Sequence, residues 1–168
     1  QIDPRTGAVL RSFPNPAGST RGLGWDGRTL WNADITNDVL EQVDPKDGST
    51  IRTIPSPGSV PTDIAWDGRC LWVHDFGVAA LYQLEPRTGT VIRTLTAPGT
   101  IGTGLTWDGR TLWDCQQAAN LIYQIDPRTG AVLRSFGGPG STPSGLAWDG
   151  RALWVCDNTT VTIYQVSV

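Results

Sequence analysis

The sequence predicts an all-β fold, a β-propeller of four four-stranded blades, from three observations. The tetrapeptide Trp-Asp-Gly-Arg recurs strictly every 41 residues, starting at Trp25, Trp66, Trp107 and Trp148. Glycine and proline, 20 and 12 of 168 residues, punctuate the chain too often for long helices. Each period holds four short segments of alternating polarity, which is typical of half-buried strands. Four-stranded units of this length, repeated around an axis, are the blades of a propeller.

The last period shows how each strand is assigned. Residues 146–148 are predicted as strand A, residues 152–156 as strand B and residues 162–166 as strand C, while residues 8–13 supply strand D from the other terminus. An Asp-Gly turn joins A to B, and Asp-Pro-Arg-Thr-Gly joins C to D. In the Asp-Gly turn, glycine offers a positive φ at no steric cost, and the second turn is led by proline. Both junctions are therefore predicted as hairpins.

The repeat frame predicts one domain over residues 1–168, with repeats starting near residues 22, 63, 104 and 145. Blade 4 is completed by residues 1–13, so that the N-terminal strand pairs with the C-terminal blade and closes the ring. Closure within one chain gives a four-bladed monomer, whereas closure between two chains gives a swapped eight-bladed homodimer. The sequence favours the monomer, because two indoles per blade can fill wide wedges and no association cost arises.

The repeat consensus also carries a family resemblance. The pattern G-L-A-W-D-G-R-x-L-W-V-x-D, followed by I-Y-Q-I-D-P-R-T-G-x-V-x-R, resembles bacterial propeller repeats of the virginiamycin B lyase-like and quinoprotein-dehydrogenase-like families. It covers the whole chain, and the near-identity of its copies resembles an amplified or engineered repeat protein. Such repeats serve lyases, sugar-binding proteins and proteins without known chemistry, so the resemblance implies a fold and not an activity.

Composition excludes some classes of partner. The formal net charge of -3 is the wrong balance for a general nucleic-acid binder. The chain lacks an apolar stretch long enough to span a membrane, so we expect no membrane partner. It also contains no methionine, which indicates a processed, excised or engineered segment and leaves its compartment unassigned.

Residues that depart from the repeat are the candidate ligand-binding residues. Most fall in or beside the variable loops, residues 34–38, 75–79, 116–120 and 158–161, which a propeller places on one face. Their acidic content predicts an electronegative face suited to a cationic ligand. The predicted ligand-binding residues are Asp34, Asp63, His74, Asp75, Asp114, Gln116, Asp157 and Asn158.

Asp63 stands where the other three repeats have glycine, at the entry of the innermost strand. A carboxylate near the channel mouth would suit Ca²⁺ or another cation, but one carboxylate is too few ligands by itself. We therefore predict no resident cofactor and no metal ligands. The three cysteines, Cys70, Cys115 and Cys156, lack a metal-binding or disulfide spacing and are expected as free, apolar core residues.

Two functional hypotheses remain open at this level. The first is a non-enzymatic scaffold or binding module for an unknown small ligand. The second is a propeller lyase or hydrolase using His74 with nearby carboxylates, or a sugar-binding lectin. The family resemblance implies a histidine base with a supporting acid and Mg²⁺, yet His74 is the single histidine and only Asp75 adjoins it. No catalytic residue is therefore assigned, and exposed indoles for sugar stacking are not expected, since every tryptophan occupies a repeated strand position.

Overall fold

The computed structural model describes residues 1–16 and 18–168, which fold as an all-β, four-bladed propeller of antiparallel sheets. The predicted fold class is confirmed. Blade 1 comprises β1 (Thr20–Trp25), β2 (Leu30–Asp34), β3 (Val39–Val43) and β4 (Thr50–Pro55); blade 2 comprises β5 (Pro61–Trp66), β6 (Leu71–Asp75), β7 (Ala80–Leu84) and β8 (Val91–Thr96). Blade 3 comprises β9 (Gly102–Trp107), β10 (Leu112–Gln116), β11 (Leu121–Ile125) and β12 (Val132–Gly137); blade 4 comprises β13 (Pro143–Trp148), β14 (Leu153–Asp157) and β15 (Thr162–Val166).

The Trp-Asp-Gly-Arg motif builds the first hairpin of each blade. In blade 2 the Asp67 carboxylate accepts hydrogen bonds from the backbone N–H groups of Arg69 and Cys70, as in an Asx turn. Its other oxygen accepts one from the Trp72 indole at 2.9 Å. The aspartate thereby fixes both the turn and the second tryptophan of the repeat, and Gly68 between them has a φ of 95°.

Neighbouring blades pack through three apolar cores, one at each junction from blade 1 to blade 4. In the core between blades 2 and 3, Trp72 and Leu81 pack with Leu105 and Leu112, and the Trp72 side chain is fully buried. The innermost strands approach until their backbones touch. A Cβ at Gly104 would lie 2.6 Å from the Leu146 backbone nitrogen, so glycine is required at that approach.

Ring closure differs from the sequence prediction. Blade 4 has three strands, because residues 1–13 do not pair with β15. The N-terminal residues instead form their own small hairpin, with a bridge between Ile2 and Val9, and lie against blade 1. A cavity of about 400 Å³ lies between the facing surfaces of blades 1 and 4. The fourth junction of the ring is thus open.

The four innermost strands, β1, β5, β9 and β13, surround a central channel. A cavity of about 270 Å³ at its hairpin end is lined by three consecutive residues from each of these strands. The variable loops lie at the opposite end. Among the described residues, no helix has the length and apolarity needed to cross a membrane.

Candidate functional site

The loop-side mouth of the channel is a polar cavity of about 280 Å³ to which every blade contributes. One repeat position supplies Arg21, Thr62, Thr103 and Ser144, the second residues of the four innermost strands. The loops add Gln117 and, from blade 4, the predicted site residue Asn158. No carboxylate is among these lining residues.

Two hydroxyls of the mouth also tie neighbouring blades together. Thr62 Oγ1 donates to the Gly102 carbonyl oxygen at 2.9 Å, and Thr103 Oγ1 donates to the Pro143 carbonyl oxygen at 2.8 Å. Arg21 occupies the same repeat position but is exposed, and it forms no ion pair with any described residue. The mouth is therefore built from rigid hydroxyls and carries one guanidinium.

Four predicted site residues, at one repeat position, do not reach this cavity. The Asp75 carboxylate accepts hydrogen bonds from the backbone N–H groups of Val60 and Val78 and is fully buried. In this way it fastens the loop before β5 to the loop after β6. Asp34, Gln116 and Asp157 make comparable side-chain bonds to loop backbone in their own blades. These four side chains therefore stabilise the variable loops through hydrogen bonds to the loop backbone.

The Asp63 carboxylate is buried among three innermost strands. It accepts hydrogen bonds from the backbone N–H groups of Ile64 and Leu105, at 2.9 and 2.6 Å, and another from Leu23. It fits because its neighbours in the ring are glycines: a Cβ at Gly22 would collide with the Asp63 backbone. Burial raises the pKa of Asp63 to about 7, while the three amide donors favour its charged form.

His74 and Asp114 face each other in the interior between blades 2 and 3. Neither has exposed surface, and His74 Nε2 lies 3.9 Å from Asp114 Oδ1, with no hydrogen-bond partner on either atom. His74 Nδ1 lies 3.0 Å from the Thr62 hydroxyl, and the Asp114 Oδ2 atom accepts a bond from the Gln116 amide at 2.5 Å. A Cβ at Gly102 would strike the imidazole, so the ring is enclosed on that side too.

Burial keeps this pair uncharged. Burial lowers the pKa of His74 to about 4, against an opposing effect of the Asp75 charge. Burial, opposed by the Gln116 hydrogen bond and assisted by the negative charge of Asp63, raises the pKa of Asp114 to about 8. At neutral pH, Asp114 holds the proton and His74 does not. A neutral imidazole and a neutral carboxylic acid, both sealed from solvent, form a structural contact.

The structure thus separates the predicted site residues into three groups. Asn158 lines the mouth; Asp63, His74 and Asp114 form the buried cluster, with Gln116 bonded to it; Asp34, Asp75 and Asp157 support loops. Sequence reasoning missed Arg21, although it is the single basic residue outside the repeated positions. The described residues contain no group of three or more side chains placed to hold a metal ion.

All three cysteines are free, as predicted, but only Cys70 and Cys115 are buried. Cys156 is exposed, which corrects its assignment to the core, because it lies on the open face of blade 4. The tryptophans divide similarly: Trp31, Trp72 and Trp113 are buried, whereas Trp25 and Trp154 are exposed.

Comparison with known proteins supports the fold. No protein-family model and no curated protein matches the sequence. The chain resembles the solved structure of the computationally designed Ika4 protein over 96% of its own length and 99% of that chain, with 13% identity and a TM-score of 0.66. Glutaminyl cyclase of Myxococcus xanthus is 15% identical over 95% of this chain and 71% of that chain, with a TM-score of 0.80.

A catalytically inactive virginiamycin B lyase from Staphylococcus aureus, solved with quinupristin, is also similar. It is 21% identical over 92% of this chain and 57% of that chain, with a TM-score of 0.62. The neighbours therefore include a designed propeller and a lyase of the family that the repeat motif resembles. They show that the chain is a propeller repeat protein, and at these identities they show the fold alone.

Proposed function

We propose that this chain is a non-enzymatic binding module and that the loop-side channel mouth holds its ligand. The observation that carries the proposal is the mouth cavity, because all four blades converge there with polar side chains. Sites on rigid scaffolds typically combine such convergent groups with a concave shape. A volume of about 280 Å³ suits a small molecule.

Charge and hydrogen-bonding capacity indicate the ligand class. Arg21 supplies a guanidinium suited to a carboxylate, and no acid lines the cavity to compensate it. Gln117 and Asn158 bring amides that donate and accept, and Ser144 brings a hydroxyl. A small hydroxy carboxylate matches this set better than the cationic ligand expected from the acidic loops, since the loop carboxylates Asp34, Asp75 and Asp157 are buried in hydrogen bonds.

The buried pair argues against the lyase alternative. A general base must come within hydrogen-bond reach of the proton that it removes. His74 and Asp114 have no exposed surface, and Gly102 closes the imidazole side. Catalysis by His74 would require blades 2 and 3 to separate.

Calorimetric titration tests the proposal with malate, tartrate and gluconate, and with glucose as the uncharged counterpart of gluconate. We expect at least one carboxylate to bind and glucose not to bind. Arg21→Ala should weaken that binding about tenfold or more, as loss of a charged hydrogen bond predicts. Arg28→Ala is the matched control, because Arg28 is exposed in a hairpin turn at the far end of the channel.

Two results would contradict the proposal. Equal affinity in wild type and Arg21→Ala would show that the ligand binds at a site other than the mouth. Turnover of quinupristin, followed by mass spectrometry and abolished by His74→Ala, would instead support the lyase alternative.

A further inference from the structure

Blades 1 and 4 expose apolar faces that are covered at every other blade junction. Ile163 on blade 4 is 65% exposed, whereas its repeat-mates Leu40, Leu81 and Ile122 are fully buried. On blade 1, Leu23 is 65% exposed, whereas its repeat-mates Ile64 and Leu105 are 2% exposed and Leu146 is partly buried. The internal junctions therefore show what covers such faces, namely another blade of the same repeat.

The N-terminal segment, residues 1–13, already lies where the fourth strand of a preceding blade would lie. It repeats residues 124–136 without a change, and its Asp3-to-Ala8 turn has the same hydrogen bonds as the turn of blade 3. Arg11 donates to the Pro45 carbonyl oxygen, just as Arg93 of blade 2 donates to that of Pro127.

Phe13 follows the same rule. It packs against Gly48 of blade 1, as its repeat-mate Leu95 packs against Gly130 of blade 3. Strand β15 is meanwhile the outer strand of a three-stranded sheet, and no described strand pairs with its free edge. One molecule thus contains a fourth-strand segment, residues 1–13, that is paired with no blade, and a blade 4 that lacks its fourth strand.

We propose that a second copy of this chain completes both. The N-terminal segment of each copy pairs with β15 of the other, and the Leu23 face of each blade 1 covers the Ile163 face of the other's blade 4. Each copy offers both halves of the contact, so the two contacts of the homodimer are equivalent. Pairing also removes the free strand edges, which otherwise favour aggregation.

The formed junctions explain why a second copy is favoured over closure within one chain. Closing the gap within one chain requires the three formed junctions to bend further. At two of these junctions the innermost strands are already at backbone contact, since Gly22 and Gly104 have no room even for a Cβ. We therefore favour the swapped homodimer over the monomer expected from the sequence.

A disulfide across the predicted ladder tests the proposal. In blade 3, Tyr123 pairs with Ser135, so Tyr164 should pair with Ser12 of the second copy. Paired Cα atoms in an antiparallel ladder are about 4.5–5.5 Å apart, within disulfide range. Ser12→Cys and Tyr164→Cys are combined after replacement of the three native cysteines by alanine. Ser12→Cys with Val78→Cys is the control pair, because neither closure brings those positions together.

Non-reducing electrophoresis and intact mass then separate the outcomes. The proposal predicts a covalent species of two chains, absent from the control pair. A disulfide within a single chain would overturn it, because the chain would then close its own ring, and so would the absence of any disulfide.

A surface substitution provides an independent readout. Ile163→Asp should halve the mass measured by light scattering without changing the circular dichroism spectrum, because Ile163 is exposed in the single chain. Val78→Asp, on a blade 2 loop and 60% exposed, should leave the mass unchanged. An unchanged mass in Ile163→Asp would overturn the proposal.

Discussion

The junction between blades 2 and 3 and the open faces of blades 1 and 4 present the same repeat in two environments. The Trp72 and Trp154 indoles donate equivalent hydrogen bonds, to Asp67 at 2.9 Å and Asp149 at 2.7 Å. Yet Trp72 is fully buried and Trp154 is 36% exposed. A repeat therefore forms its own turn and its own hydrogen bonds, but its burial depends on the next blade. In this fold, stability resides largely in nearest-neighbour contacts, as in other repeat proteins.

The two regions also differ in polar content. The buried cluster of Asp63, His74 and Asp114 lies at formed junctions, where Asp63 and His74 replace small residues of the other repeats. The open faces hold mainly apolar side chains. Buried polar groups are tolerated where backbone amides or partners meet them, and Asp63 has three such amides.

The largest expected difference between the two regions comes from removing one indole. Trp72→Ala should lower the free energy of unfolding by about 3–5 kcal/mol, as for other buried aromatic residues. Trp154→Ala, measured in the Ile163→Asp background that keeps the chain single, should lower it by about 1 kcal/mol. Both lose the same hydrogen bond, so urea denaturation isolates the effect of burial. Equal losses would contradict the comparison.

Two glycines at one repeat position allow the same comparison at the innermost strands. A Cβ at Gly104 would press on the Leu146 backbone, whereas a Cβ at its repeat-mate Gly145 would meet only the Cys156 side chain at 3.9 Å. Gly104→Ala should therefore cost about 1–3 kcal/mol through overpacking. Gly145→Ala should be close to neutral in the Ile163→Asp background. Thermal unfolding measures both, and a neutral Gly104→Ala would show that the blades are looser than described.

A smaller effect should appear in the pH dependence of stability. Burial raises the pKa of Asp114 from 3.8 to about 8, so the folded chain keeps a proton that the unfolded chain has lost. This contribution is largest below pH 3.8 and disappears as the pH rises through about 8. Between these two pH values, the free energy of unfolding falls by about 1.4 kcal/mol for each unit of rising pH and each proton so retained. The lowered pKa of His74 acts in the opposite direction, but only below pH 6.5.

Urea denaturation between pH 6.5 and 8 therefore reports mainly on the carboxyl groups. Wild type should lose stability over this interval, and Asp114→Asn should show a flatter profile. Asp47→Asn, at an exposed turn, should keep the wild-type slope. A wild-type profile that rises with pH would mean that Asp114 is ionised inside the protein.

The sequence predicted the blades because the 41-residue period and the turn motifs are local signals. Strand C of blade 4 was predicted with the observed bounds, and strands A and B within a few residues. Ring closure is not a local signal. It depends on the angles between blades, to which Gly22 and Gly104 contribute through contacts that no spacing reveals. The N-terminal segment was therefore identified as a repeat of strand D, but in the structure it does not pair with β15 of the same chain.

The candidate site was harder to predict for a related reason. An aspartate that caps loop amides, such as Asp75, looks the same in sequence as one that faces solvent. Subtracting the repeat singles out Asn158, which lines the mouth, and leaves Arg21 as the single basic residue outside the repeated positions. The burial of Asp63, His74 and Asp114 depends on which strands enclose them, and that is a property of the assembled blades.

Light scattering of the unmodified chain tests most directly whether every blade face is completed by another repeat. We expect a species of twice 18.1 kDa, dissociated by Ile163→Asp. A single-chain mass of 18.1 kDa at all protein concentrations would contradict it.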